Sequence, residues 1–240
     1  MKGRIITSEP AGLGGMPEAG RLHIGMKVQK NGREYPTSVD YFIPAGKYAD
    51  VFTRWMGERP NTIPIIFYSD DPAISCDEHF VYRDDAGKKV AEGDGFEFKV
   101  WNGTKWVVCT VEKYPNLMEI VAQKFPTKKG MESWVMEMTM RFLIPQVQGV
   151  FGYWQFSTKG AASSIKNIRN AFDSIKLMRG SVSGIPFDLS VQFAKSDHPG
   201  AQSRYPVVSL VANMNRVEEI RAALGNRESE TLLLTDNGLK

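Results

Sequence analysis

The chain has 240 residues, 42% hydrophobic and 24% charged, with a net charge of +3 and two cysteines. A chain of this size and composition buries a core without staples, which excludes a disulfide scaffold and a low-complexity disordered protein. A strong DNA binder would carry a basic excess over its whole domain, and no stretch approaches the roughly 18 apolar residues of a membrane span, so both of those classes are set aside as well.

The start, "MKGRIITSEPAGLGG", has no apolar run long enough for a signal peptide. With only Cys76 and Cys109 as thiols, a reducing cytoplasm is the expected compartment. Residues 8–20 hold two prolines and four glycines, too many breakers for regular structure, so 1–20 reads as a flexible arm. "LHIGMKV" alternates, with Leu22, Ile24, Met26 and Val28 on one side, as in a half-buried strand. Asn31-Gly32 is the strongest short hairpin signal, and "TSVDYFI" is the return strand. In "GKYADVFTRWMG", Tyr48, Val51, Phe52 and Trp55 or Met56 recur at helical spacing and Gly57 stands at the expected end.

"TIPIIFYSDD" reads as a buried strand, and Pro64 assigns it to a sheet edge. From "HFVYRD" to "NGTKWVVCTV", short alternating strands separated by turn residues predict a β-meander, a possible subdomain over 60–112. "NLMEIVAQKF" predicts a short helix. Trp134, Met136, Met138, Met140 and Phe142 share one side of a long strand, partnered by "GVFGYWQFST". From Ser163 to Met178 a helix follows, with Ile165, Ile168, Phe172 and Ile175 as its apolar stripe and Gly180 as its stop. "SGIPFDLSVQFA" and "YPVVSLVA" are two further strands joined by a polar loop. "RVEEIRAALG" predicts a closing helix before a tail at 226–240. Strands dominate and do not alternate regularly with helices, so the expected class is α+β, a predominantly antiparallel sheet with about four helices packed on it, in a single domain over 21–225.

The charge is uneven. Residues 60–100 carry nine acids and four bases, whereas 124–181 carry nine bases and three acids. A bipolar molecule of this kind suits docking to a protein or a weak contact with nucleic acid, and equally two solvated faces of opposite sign.

Three groups of residues could carry chemistry. In "STKGAASSIKNIRN" a polar loop meets a basic amphipathic helix. Free N–H groups and the positive end of the helix dipole favour an anion there. Lys159, Ser163, Ser164, Lys166, Arg169, Lys176 and Arg179 are the candidate contacts to phosphate or to an acidic partner. The lysine precedes the only glycine, so this is no Walker motif, and either serine would serve as a plain N-cap. Second, Cys76 and His79 have the C-x-x-H spacing of a zinc pair. Cys109 is a conceivable third ligand, and a fourth would have to come from His23, His198 or an acid. A structural zinc needs four ligands, and no metal or cofactor is expected. Third, acidic pairs such as "SDDP" and "RDDAG" are available to a hard cation but are also ordinary turn chemistry. The aromatic residues Trp101, Trp106, Trp134, Tyr153 and Trp154 could stack on single strands. Their alternation instead places most of them with core residues.

Taken together, "GRLHIGMKV…GREYPTSVDYFIPAG", "IFYSDDPAISCDEHFVYRDDAGKKVAEGDGFEF", "MRFLIPQVQGVFGYWQFSTKGAASSIKNIRNAFDSIK", "GSVSGIPFDLSV" and "YPVVSLV" resemble the recombination directionality factor-like family of phages and integrative elements. The resemblance covers about residues 20–215. It implies a partner rather than a reaction: a large serine integrase seated on DNA, turned from integration toward excision, with DNA itself touched non-specifically if at all. It supplies no catalytic residues, so no enzymatic activity is expected. Members are often labelled hydrolase or metal-binding protein, a label for which this chain offers only Cys76 and His79. The alternatives are a phage nucleic-acid-binding protein of replication or recombination, resting on the basic helix, and a metal-dependent hydrolase, resting on Cys76, His79 and the acidic turns.

Overall fold

A computed structural model describes residues 16–127, 134–195 and 204–216. Among the described residues eleven strands form two sheets. The large one has the order β2-β1-β9-β8-β4-β5-β6-β7 and the small one β11-β10-β3, where β1 is Glu18–Lys30, β2 Arg33–Ala45, β3 Thr62–Ile66, β4 Cys76–Arg83, β5 Lys89–Gly93, β6 Glu97–Trp101, β7 Trp106–Thr110, β8 Trp134–Phe142, β9 Tyr153–Thr158, β10 Pro186–Lys195 and β11 Arg204–Ala212. Every pairing is antiparallel except β1 with β9. The α+β, mainly antiparallel expectation holds, and the meander β4–β7 is continuous with the rest of the large sheet.

The α-helices among the described residues are α1 (Ala49–Met56), α2 (Pro72–Ser75), α3 (Leu117–Lys124) and α4 (Lys166–Arg179). Three of them are those expected from periodicity. The fourth, α2, grows from the "SDDP" turn: Asp71 accepts from the Ala73 N–H at 2.9 Å, and Pro72 takes the first helical position, where its missing N–H costs nothing. Of the predicted closing helix only Arg216 is described. The loop with His198 and the tail at 226–240 lie outside the described residues, as does the arm before residue 16.

Alternation on β8 sets the core. Met138, Met140 and Phe142 point inward with Trp154 and Phe156 of β9 and Leu22 of β1. Facing them are Ile63 and Ile65 of β3, Phe187 and Leu189 of β10, Val208 and Leu210 of β11, and the stripe of Ile165, just before α4, with Ile168 and Phe172 on it. Phe67 meets Phe172 and Phe187 edge-on, with ring centroids 5.2 and 5.4 Å apart. Gly20 permits the close approach of β1 to Trp154, since a Cβ there would sit 2.6 Å from the indole ring. Under the meander lies a second cluster of Tyr82, Val90, Ala91, Phe98 and Val100 with Leu117 and Val121 of α3. The Tyr82 hydroxyl donates to the Phe125 carbonyl at 2.7 Å, and Trp134 Nε1 donates to the Met118 carbonyl at 3.1 Å. Most of the aromatic residues singled out for stacking are thus core, although Trp106 is exposed.

Pro64 does sit on an edge strand, because β3 ends the small sheet. The other outer strand, β11, is shielded by the start of α4. One expectation fails: Met26 and Val28 do not follow Leu22 into the core but are exposed, because β1 and β2 run past the body of the protein as a free ribbon.

Candidate functional site

The stretch that resembles an anion cradle is built differently from one. After β9, residues Ala161–Ile165 form a wide π-helical turn before α4 begins. Three of its backbone donors are used locally: Ala161 N–H donates to Lys159 O at 2.8 Å, and Ser163 N–H and Ile165 N–H both donate to Gly160 O. Ser163 and Ser164 crowd over Gly160, where an added Cβ would meet both hydroxyl oxygens within 3.3 Å. Neither serine caps the helix through its side chain. Ser164 is buried, and its Oγ accepts from the Val208 N–H of β11 at 3.0 Å. A phosphate needs free N–H groups pointing at it; here the helix start is tied to the small sheet instead.

The basic side chains of this stretch divide into engaged and free. Lys159 Nζ lies 3.1 Å from Glu137, which also takes Arg83 at 3.0 Å. Burial alone would raise the Glu137 carboxyl, but hydrogen bonds from Arg83 and Lys159 outweigh it and hold the group below its usual range. Arg169 grips Glu78 with two nitrogens, the Nε contact measuring 2.7 Å, and this hydrogen bonding raises the guanidinium further. Lys176 Nζ donates to the Asp70 carbonyl at 3.0 Å. The Asp70 carboxylate accepts from the N–H groups of Ser183 and Val182 and from Ser181 Oγ, which keeps its pKa low and pins the turn after α4. Lys166 and Arg179 project into solvent. The helix edge thus offers far less free positive charge than its sequence suggests.

Strand geometry disposes of the C-x-x-H pair. Residues three apart on a strand face opposite sides, and both lie on β4. Cys76 packs into the core beside Met140, whereas His79 lies on the opposite face with Nδ1 3.7 Å from Asp77. Burial, with Glu78 and Asp173 nearby, pushes the Cys76 thiol well above its ordinary pKa. Cys109 stands on β7, at the far edge of the sheet. Among the described residues no group of three or more His, Cys, Asp or Glu could hold a metal ion.

What the fold does bring together is charge. On the face of the large sheet away from the core, Arg83, Glu137 and Lys159 form one cross-strand cluster and Arg141, Asp77 and His79 another. Thr139 and Ser157 hydroxyls meet between them at 3.1 Å. Beside β4, two adjoining concavities share Asp77, Glu78 and Asp94, and Glu92, Glu97 and Asp173 complete an acidic rim. At the opposite edge of the same sheet stands the β1–β2 ribbon with Lys27, Lys30 and Arg33. The acids of 60–100 do gather along β4–β6, with Lys99 and Arg169 among them, and free cations stand not only on α4, at Lys166 and Arg179, but also on the exposed ribbon, at Lys30 and Arg33. Sequence reading missed the exposed ribbon. The signal available was that the return strand "REYPTS" has no residue pattern that could bury it.

A family model described as Gp3-like, recombination directionality factor-like, matches residues 19–213, most of the chain. No curated protein and no solved structure gives a significant match.

Proposed function

This chain belongs to the recombination directionality factor-like family, and on that premise we propose that it binds a large serine integrase and biases site-specific recombination toward excision. It does so as a docking protein, without catalysis, in the cytoplasm of a bacterial host carrying the phage or mobile element. The observation that carries the reading is the extent of the family match, which spans both sheets and all four helices. Its supports are local. Cys76 of the C-x-x-H pair is buried with a raised pKa, and on the sheet face Arg83, Lys159 and Arg141 are engaged by Glu137 and Asp77. Lys166 and Arg179 are available to DNA phosphate beside a docked recombinase. The engagement of Lys159, Arg169 and Lys176 favours a protein partner over nucleic acid as the main target.

The mechanism is a difference in affinity. A factor shifts a recombinase between two arrangements only by binding one better than the other. About 3 kcal/mol of difference moves the balance more than a hundredfold. The test mixes the purified protein with the serine integrase encoded in the same element and with the hybrid attachment sites. Excision that appears only with the protein present is the expected result; an unchanged direction of recombination overturns the reading.

A further inference from the structure

The β1–β2 ribbon carries an inference that rests on this reading and deepens it. Paired residues run from His23 opposite Ile43 directly to Gly25 opposite Ser38, so Val39–Phe42 of β2 bulge out against the single residue Ile24. Val39 and Phe42 are buried in the body. Beyond that bulge every residue from 25 to 38 is exposed. The arm stands about 20 Å clear, at the usual rise of a strand, and it ends in the Asn31-Gly32 turn with both residues at positive φ. A two-stranded ribbon alone in water is marginal at best.

Its two faces differ. On one, Lys27 pairs with Glu34 at 2.9 Å among small and polar residues. The other carries Val28 directly opposite Tyr35, with Met26 next to them, and these three are 40%, 46% and 41% exposed. At the tip of that same face Lys30 lies directly opposite Arg33. Like charges directly opposite destabilise a ladder, and among the described residues neither cation has an ion-pair partner. An apolar strip capped by two uncompensated cations costs the arm stability unless something covers it. Tyr, Met and Arg are the side chains enriched in the cores and hot spots of protein interfaces. A groove-reading DNA ribbon would need hydrogen-bonding groups where Met26 and Val28 stand. Strand addition along β2 is opposed by Pro36, which offers no N–H on an edge strand.

We infer that this face of the arm is the docking element for the recombinase, and that it seats on an apolar strip edged by carboxylates. The test measures affinity of the full-length protein for the serine integrase encoded in the same element, with V28S/Y35S and K30E/R33E beside the wild type. Melting temperatures are expected to stay within a few degrees, since every altered side chain is exposed. Each variant is expected to lose about tenfold or more in affinity. If the wild type binds and both variants bind equally well, the arm is not the docking element and the functional reading stands. Failure of the wild type to form a complex overturns the functional reading and takes this inference with it. Loss of salt-sensitive duplex binding, or of self-association, with recombinase affinity unchanged, would assign the arm to DNA or to a second copy and overturn the inference.

Discussion

Ser164 Oγ, on the turn that opens the basic helix, accepts a hydrogen bond from the backbone N–H of Val208 at 3.0 Å inside the core. β11 is an outer strand of the small sheet, and its outward donors would otherwise be unpaired in an apolar setting. A serine that looks like a phosphate ligand or a cap in the sequence thus closes a sheet edge.

Ser164→Ala should therefore leave the Val208 N–H buried without a partner and cost about 1–3 kcal/mol. Ser163→Ala, at a half-buried hydroxyl, should cost about 0.5 kcal/mol or less. Urea unfolding curves of the two variants distinguish the roles. Equal midpoints for both would show that the Ser164 bond contributes nothing.

The two thiols should differ in reactivity. Cys76 is buried and its thiol is held protonated by burial and by the charges of Glu78 and Asp173, while Cys109 is half-buried. Because the thiolate is the reactive form, a thiol reagent at pH 8 should label Cys109 in the native protein and reach Cys76 only on unfolding. The C109S variant should then show almost no native labelling. Rapid labelling of C109S would mean that β4 opens far more readily than its pairing with both β5 and β8 implies.

Much of this was legible beforehand because it rests on period and turn chemistry. Trp134 to Phe142 alternate and became a core strand; Ile165, Ile168 and Phe172 recur at helical spacing and became the buried stripe of α4; Asn31-Gly32 became a hairpin turn. What failed to show was whatever depends on distant residues. Arg83 and Glu137 are 54 positions apart, and Arg169 and Glu78 are 91 apart. No local pattern announces that those cations are already engaged. Met26 and Val28 alternate correctly with Leu22, yet alternation says only that residues share a face, not that anything covers it. The separation of Cys76 from His79 was within reach, since a strand assignment alone puts them on opposite sides.

Acid should weaken the sheet through Glu137. Its carboxyl ionises below the ordinary value of 4.5 in the folded protein, where Arg83 and Lys159 hold the anion. A carboxyl lowered on folding contributes stability fully above its unfolded pKa and loses it as pH falls through the folded one. The melting temperature should therefore drop below about pH 4.5, and Glu137→Gln should flatten part of that drop while leaving the neutral-to-basic range without a slope of its own. Identical pH profiles for the wild type and E137Q would show that this pair is not linked to folding.

Phe172 sets how firmly α4 is seated. Its ring is fully buried against Phe67, and with Ile165 and Ile168 it joins the helix to both sheets at once. Truncating a buried phenylalanine removes its burial and leaves a cavity that the neighbouring strands close only partly, for a cost of about 3–5 kcal/mol. Leu177, five residues on, is 87% exposed, so Leu177→Ala on the same helix should change stability by about 0.5 kcal/mol or less. Since domains of this kind hold about 5–15 kcal/mol in total, F172A should shift the urea midpoint strongly yet still fold. Near-identical midpoints for F172A and L177A would mean that α4 is not anchored through its apolar stripe. If F172A shows the large loss, Lys166 and Arg179 are displayed on a rigid support, and charge changes there can be read as surface effects rather than as unfolding.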